Sequence, residues 1–154
     1  IFLAAGVTGL SAIITRQSWL HDWSRAFGRT GLLFWITYLP VSMWAMETNW
    51  NGLYLAEPRW RLAVIFAVTG LLLQIGLTLI DRRTWTSAGN LIFIAVLLAV
   101  LSGTREIMHP KSPILSSDSL MIQVYFIALV SIMLLIAFQI VRSWQLFDQK
   151  AGKR

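Results

Sequence analysis

The chain contains no cysteine, and this absence narrows the chemistry open to it. It excludes disulfides, thiolate metal sites, iron–sulfur clusters and thioether-attached haem within these residues. Histidine is nearly as scarce, because His21 and His109 are the only two. The sequence shows no Ser/His/Asp arrangement, no glycine-rich phosphate loop and no cluster of metal ligands, so it predicts no metal site.

Charged residues are also few. Only 13% of the 154 residues are charged and 56% are hydrophobic, whereas soluble domains usually carry about 25% charged residues. The deficit predicts a protein that faces lipid. A net charge of +6 is compatible with nucleic-acid binding, but the basic residues flank apolar runs and form no stripe with aromatic residues. We therefore expect a lipid bilayer, and no nucleic acid, as the partner.

Five apolar stretches predict an all-α integral membrane helical bundle, since a helix needs about 20 apolar residues to cross a bilayer. They are residues 1–15, 30–46, 61–80, 85–104 and 120–141. The first is interpreted as the end of a span, and the second is short and contains Pro40, which favours a kink. We predict four full transmembrane helices plus a partial or complete first one, in a single domain over residues 1–154.

The distribution of Lys and Arg predicts the orientation. If the spans alternate, nine basic residues fall on one side and four on the other. The nine are Arg16, Arg25, Arg29, Arg82, Arg83, Arg142, Lys150, Lys153 and Arg154; the four are Arg59, Arg61, Arg105 and Lys111. The positive-inside rule then predicts a multi-pass protein of the inner (plasma) membrane with a cytoplasmic C-terminus and with loops 47–60 and 104–119 facing outward. Most tryptophans lie near predicted span ends, as in an interfacial aromatic belt.

Few polar residues lie inside the predicted spans. Gln74 is near the middle of its span, and a glutamine there more often bonds a neighbouring helix than moves a substrate. No acidic or basic residue lies deep within a span, which argues against a proton pump or an ion-coupled transporter.

Two polar segments are predicted to face outward. The first, "METNWNGLYLAEPRWRL", combines Glu57 and Trp60 with other aromatic and polar groups; it suits a quinone head group or a partner subunit equally well, and plain anchoring is the commoner cause. The second, "TREIMHPKSPIL", places Arg105, Glu106 and His109 together. The prolines that follow are enough to end a helix, but a histidine beside a carboxylate can also take or pass a proton near neutral pH.

The order of these motifs resembles the later part of subunit I of cytochrome bd-type quinol oxidases and their bd-like relatives, over roughly residues 57–120. In that family an outer quinol-loop region leads into a helix that opens with an aromatic-Arg pair. A short basic loop with Trp follows, as in "DRRTW" here, and then a helix that ends in a Glu-x-x-Arg motif.

The resemblance implies roles for individual residues. Arg61 matches the helix-opening arginine near a low-spin haem, and Trp60 and Glu57 stand beside it as further cofactor-binding candidates. Glu106 matches the glutamate near the oxygen-reducing haem pair, and with Arg105 and His109 it forms the candidate catalytic group. His109, however, stands where the family has arginine. Ala63 stands at the axial methionine and cannot ligate iron, and the family's histidine ligands have no counterpart.

Two functions follow from this comparison. The first is a bd-like membrane subunit of a respiratory electron-transfer complex, which is associated with quinol oxidation at the outer face and is not catalytic alone. Haem and quinone would then be shared with other membrane subunits, since the sequence assigns no cofactor to this chain alone. A haem held by His109 with Met43, Met46 or Met121 is the alternative, although methionines in apolar helices are usually packing residues. The second is a cofactor-free accessory or anchoring subunit of a larger complex. A small transporter or channel is disfavoured by the uncharged spans.

Overall fold

The computed structural model of the protein describes residues 1–104 and 118–151. The chain divides into two compact units, Ile1–Glu106 and Ile107–Arg154. All regular secondary structure in the described residues is α-helical, which confirms the all-α prediction. The helices are α1 (Phe2–Thr15), α2 (Ser18–Trp50), α3 (Pro58–Ile80) and α4 (Arg83–Gly103) in the first unit, and α5 (Leu120–Ala151) in the second.

The first unit is a four-helix bundle in which α1 packs on α2 and α4, and α3 packs on the same two helices. Its apolar core consists of Phe66, Phe93, Ile94 and Leu97. Small residues let α1 approach α4 closely: a Cβ at Gly9 would lie 2.7 Å from the carbonyl oxygen of Ser87. Small residues at helix crossings are typical of membrane bundles, because they let backbones come into contact.

The second helix is longer than the sequence predicts. It runs for 33 residues, from Ser18 to Trp50, or about 50 Å, and therefore includes most of the predicted 16–29 loop. Pro40 lies inside it. The charged residues of that segment suggest a loop, but Arg25 pairs with Asp81 beyond the end of α3, at 3.2 Å. The positive charge of Arg25 is thus paired while the segment stays helical, so the charged residues do not require a loop here.

Three helices are long and apolar enough to cross a membrane: α3, α4 and the stretch Leu120–Asp148 of α5. The chain therefore has the character of a multi-pass membrane protein. The predicted span at 30–46 forms part of α2, but its threonines, tryptophans and proline lower its hydropathy, so a fourth full span stays a prediction. α1 is a shorter apolar helix of 14 residues.

Candidate functional site

An open groove of about 530 Å³ lies between the four helices of the first unit, at the end where α3 begins and α4 ends. Small-molecule sites usually enclose about 300–1,000 Å³. Five aromatic rings contribute to the lining: Phe2, Phe34, Trp35, Tyr38 and Phe66. Arg59, at the start of α3, is the charged side chain among the lining residues.

The groove walls are held by contacts between helices. The indole Nε1 of Trp35 donates a hydrogen bond to the carbonyl oxygen of Ala63 at 2.8 Å, which fixes its ring between α2 and α3. Phe2 packs on that ring, with centroids 5.9 Å apart, and on Phe93 at 5.2 Å. A Cβ at Gly31 would lie 2.8 Å from the Phe2 ring, so glycine is what lets this ring lie against α2.

These features suit a flat, mostly apolar ligand with one or two polar oxygens. Aromatic rings pack favourably on a planar ring system. A guanidinium group offers several donors and keeps its charge, so Arg59 can bind an oxygen at the mouth of the groove. The remaining lining residues are apolar, apart from the backbone of Gly31 and the Tyr38 hydroxyl: Ile1, Leu3, Leu62, Ala63, Ile94, Leu97 and Leu101.

A second feature of the first unit is a buried polar cluster, which we define as Ser24, Gln74 and Asn90. The Asn90 amide nitrogen donates to the backbone carbonyl of Ser24 at 2.8 Å and lies 3.2 Å from its hydroxyl. The Gln74 amide donates to Asn90 Oδ1 at 2.7 Å. The Ser24 hydroxyl in turn donates to the carbonyl of Ala5 at 2.9 Å. The cluster therefore joins all four helices, and Gln74 bonds a neighbouring helix as predicted.

His21 lies beside this cluster, near the start of α2. Its Nδ1 is hydrogen bonded to the hydroxyl of Ser87, 2.6 Å away on the first turns of α4. Ser87 is fully buried and His21 is half-buried. The histidine is thus engaged in a helix–helix contact at the end of the unit opposite the groove.

The residues chosen from the resemblance lie near the groove but do not line it. Glu57 precedes α3 and is only 6% exposed. Trp60 Nε1 donates to the Ser42 hydroxyl at 3.2 Å, which joins α3 to α2. Arg61 is exposed and is not among the lining residues. Arg59 lines the groove instead; it belongs to the polar outward segment that suits a quinone head group, but the resemblance did not select it.

A signal for Arg59 was nevertheless present in the sequence. Arg59, Leu62, Ala63 and Phe66 all line the groove, and they follow the i, i+3, i+4, i+7 spacing of a single helix face. The proposed catalytic residues Arg105, Glu106 and His109 lie outside the described residues.

Among the lining residues of this groove, the Tyr38 hydroxyl is the one side-chain group of a type that can ligate haem iron. Neither histidine nor methionine is among its lining residues, and the alanine at the family's axial methionine position, Ala63, offers no ligand. His21 is bonded to Ser87 at the other end. Within the described parts of the chain, no group of three or more His, Cys, Asp or Glu side chains is arranged to hold a metal ion.

No known protein family, curated protein or solved structure matches the chain.

Proposed function

We propose that this chain is an integral-membrane subunit of a respiratory electron-transfer complex and that its groove holds the ring of an isoprenoid quinol. The groove of the first unit is the observation that carries the proposal. It combines a suitable volume, aromatic walls and a single charged side chain.

The aromatic lining of the groove favours a ring over an acyl chain. A benzoquinol or naphthoquinol ring is flat and packs favourably on aromatic side chains. The rings of Phe66 and Trp35 in the groove lining offer it such surfaces. Trp35 is held in place by its bond to Ala63, so little side-chain freedom is lost when a ligand packs on it. The open side of the groove would let an isoprenoid tail extend into lipid.

Arg59 would bind a quinol or quinone oxygen. Its guanidinium donates hydrogen bonds only, and a bond from a charged donor contributes about 1.5–3 kcal/mol. Oxidation of the quinol to the quinone releases two electrons and two protons. In this proposal a partner subunit accepts the two electrons. The two protons are first accepted in the predicted outward segment that contains Glu106 and His109.

Photolabelling tests the proposal. A photoreactive azido-quinone would be applied to the full-length protein in its native membrane complex, and the labelled peptides would be mapped. We expect label within residues 31–38 and 59–66. Substitution Arg59→Gln should weaken the competition by unlabelled quinol at least about tenfold, because the charged hydrogen bond is lost.

Arg61→Gln is the matched control. It removes the same charge two residues away, from a side chain that does not line the groove, and it should leave labelling and competition unchanged. Label confined to other segments, or equal competition in the Arg59→Gln and wild-type proteins, would contradict the proposal.

A cofactor-free accessory or anchoring subunit is the second candidate, and α5 favours it. Taken by itself, this helix exposes large apolar side chains along most of its length, among them Met121 at 82% and Leu135 at 66% exposure. Such a helix suits insertion in lipid or packing against another membrane subunit. A complex that assembles only when the chain is present, but whose groove takes no quinone label, would support this candidate.

A further inference from the structure

The end of the first unit opposite the groove carries a concentration of arginine. We define the basic end as residues 16–29 and 81–90, where α1 leads into α2 and α3 leads into α4. It contains five arginines and two aspartates, a net charge of +3. The sequence segments 47–61 and 104–119 are each balanced, with two basic and two acidic residues. The charge asymmetry between the two sets of connections is therefore entirely due to the basic end.

The structure shows which of these charges are matched. Asp81 pairs with Arg25 at 3.2 Å, and Asp22 lies 3.6 Å from Arg83. Both aspartates are thus used in contacts between helices.

Two arginines keep their charge available. Arg16 and Arg82 are exposed, and neither takes part in an ion pair within the described residues. They also lie at a similar level. Gly6 of α1 lies against Ile94 of α4, and Gly9 lies against Ser87, so the two helices are antiparallel. Two turns beyond Gly9 the chain reaches Arg16, which is therefore near the start of α4.

Exposed indole rings accompany these arginines. Trp19 is 55% exposed in the first turn of α2, and Trp85 is 64% exposed in the first turn of α4. Tryptophan is enriched where membrane helices meet the polar head groups. The rings therefore favour a position of Arg16 and Arg82 at the lipid interface over a position in bulk solvent.

We propose that Arg16 and Arg82 form a binding site for the phosphate group of an anionic phospholipid in the leaflet that contacts the basic end. The partner is a lipid because exposed indoles and unpaired arginines occur together, and because the same end lies where the two apolar helices α3 and α4 are joined. A basic residue near an anionic leaflet contributes attraction that falls off within a Debye length. The proposal does not depend on the groove or on its ligand.

Spin-labelled lipids test this site. The full-length protein would be placed in phosphatidylcholine bilayers with traces of spin-labelled phosphatidylglycerol or phosphatidylcholine, and the motionally restricted fraction of each would be measured. We expect a preference for phosphatidylglycerol that weakens as salt is added. Arg16→Gln and Arg82→Gln should each reduce that preference, by up to about fivefold.

Two controls separate charge at this site from charge in general. Arg61→Gln removes an exposed arginine at the opposite end and should leave the preference intact, whereas Arg16→Lys and Arg82→Lys should retain most of it. The proposal is overturned if the glutamine variants keep the full preference, or if Arg61→Gln loses as much. A wild-type protein with no preference for phosphatidylglycerol would also overturn it and would assign the arginines to an acidic protein segment instead.

Discussion

The side-chain amide of Asn90 in α4 donates a hydrogen bond to the backbone carbonyl oxygen of Ser24 in α2, 2.8 Å away. Ser24 is fully buried and Asn90 is only 4% exposed. The same asparagine accepts a hydrogen bond from Gln74 of α3. A single side chain therefore connects three helices inside the bundle.

Removing this side chain should destabilise the first unit. Asn90→Leu keeps a similar volume but leaves the Gln74 amide without its acceptor, and a buried donor without a partner costs about 1–3 kcal/mol. Interhelical hydrogen bonds in membrane proteins average about 0.6 kcal/mol, so we expect a total loss of about 1–3 kcal/mol. Unfolding of the purified protein in mixed detergent and SDS, followed by circular dichroism, measures it.

Ser102→Ala is the control for this prediction. The Ser102 hydroxyl is exposed and bonds only the Ala99 carbonyl of its own helix. Its loss should change stability by less than about 0.5 kcal/mol. Equal unfolding midpoints for the two variants would show that the buried cluster contributes no measurable stability.

The contact between α1 and α4 predicts a second effect on stability. An added Cβ at Gly9 would lie 2.7 Å from the carbonyl oxygen of Ser87, a backbone atom that cannot rotate away. We expect Gly9→Ala to cost about 1–3 kcal/mol, the usual range for overpacking. Gly76→Ala is the matched control, because nothing lies within 4 Å of that position.

The control should move in the opposite direction. Alanine is favoured over glycine inside a helix by about 1 kcal/mol, so Gly76→Ala should be neutral or stabilising in the same SDS assay. If Gly9→Ala were as stable as Gly76→Ala, the close packing of α1 on α4 would be wrong.

The sequence predicts much of this architecture, and the limits of the prediction have physical causes. Long apolar runs identify α3, α4 and α5, since any such run must be helical to satisfy its backbone in lipid. The same reasoning predicted a span at 85–104, and Ser87 and Asn90 lie in the first turns of the helix found there. It could not supply their partners: Asn90 and Ser24 are 66 residues apart, and helical periodicity within one segment says nothing about which helix lies opposite.

The candidate site shows a different limit. The resemblance selected Arg61, whereas Arg59 lines the groove. Residues two apart on a helix point about 200° apart, so a motif read without the helix face does not show which of the two arginines faces the groove. Leu62, Ala63 and Phe66 lie on one apolar helix face. The sequence spacing puts Arg59 on the same face, and this was the signal that could have identified it.

Glu106 and His109 are predicted to accept a proton during quinol oxidation. Both occur in "TREIMHPKSPIL", three residues apart in the sequence, and a carboxylate beside a histidine favours its protonated form. Loss of a general base usually slows a reaction about 10²–10⁴-fold. We therefore expect Glu106→Gln and His109→Ala to lower quinol-linked electron transfer at least about tenfold in assembled complexes.

Glu47→Gln is the matched control for this pair, because Glu47 is exposed at the end of α2 and has no predicted role. Assembly must first be shown to be normal in all three variants. Wild-type rates in both Glu106→Gln and His109→Ala would mean that the segment only ends a helix at the membrane boundary.

The orientation in the membrane is open to a direct test, because the chain has no cysteine of its own. Both Asp118 and Lys150 are exposed, and they lie at opposite ends of α5. This helix has 32 residues and is therefore about 48 Å long. The hydrocarbon core is about 30 Å thick, so the two positions should emerge on opposite sides. The nine-to-four division of basic residues predicts that Lys150 lies in the cytoplasm.

We therefore expect Asp118→Cys to react with a membrane-impermeant maleimide in intact cells, and Lys150→Cys to react only after permeabilisation. The reverse pattern would invert the predicted orientation and, with it, the predicted outward position of loops 47–60 and 104–119. Reaction of both positions in intact cells would instead show that α5 does not span the membrane, and its exposed apolar surface would then have to be covered by a partner protein.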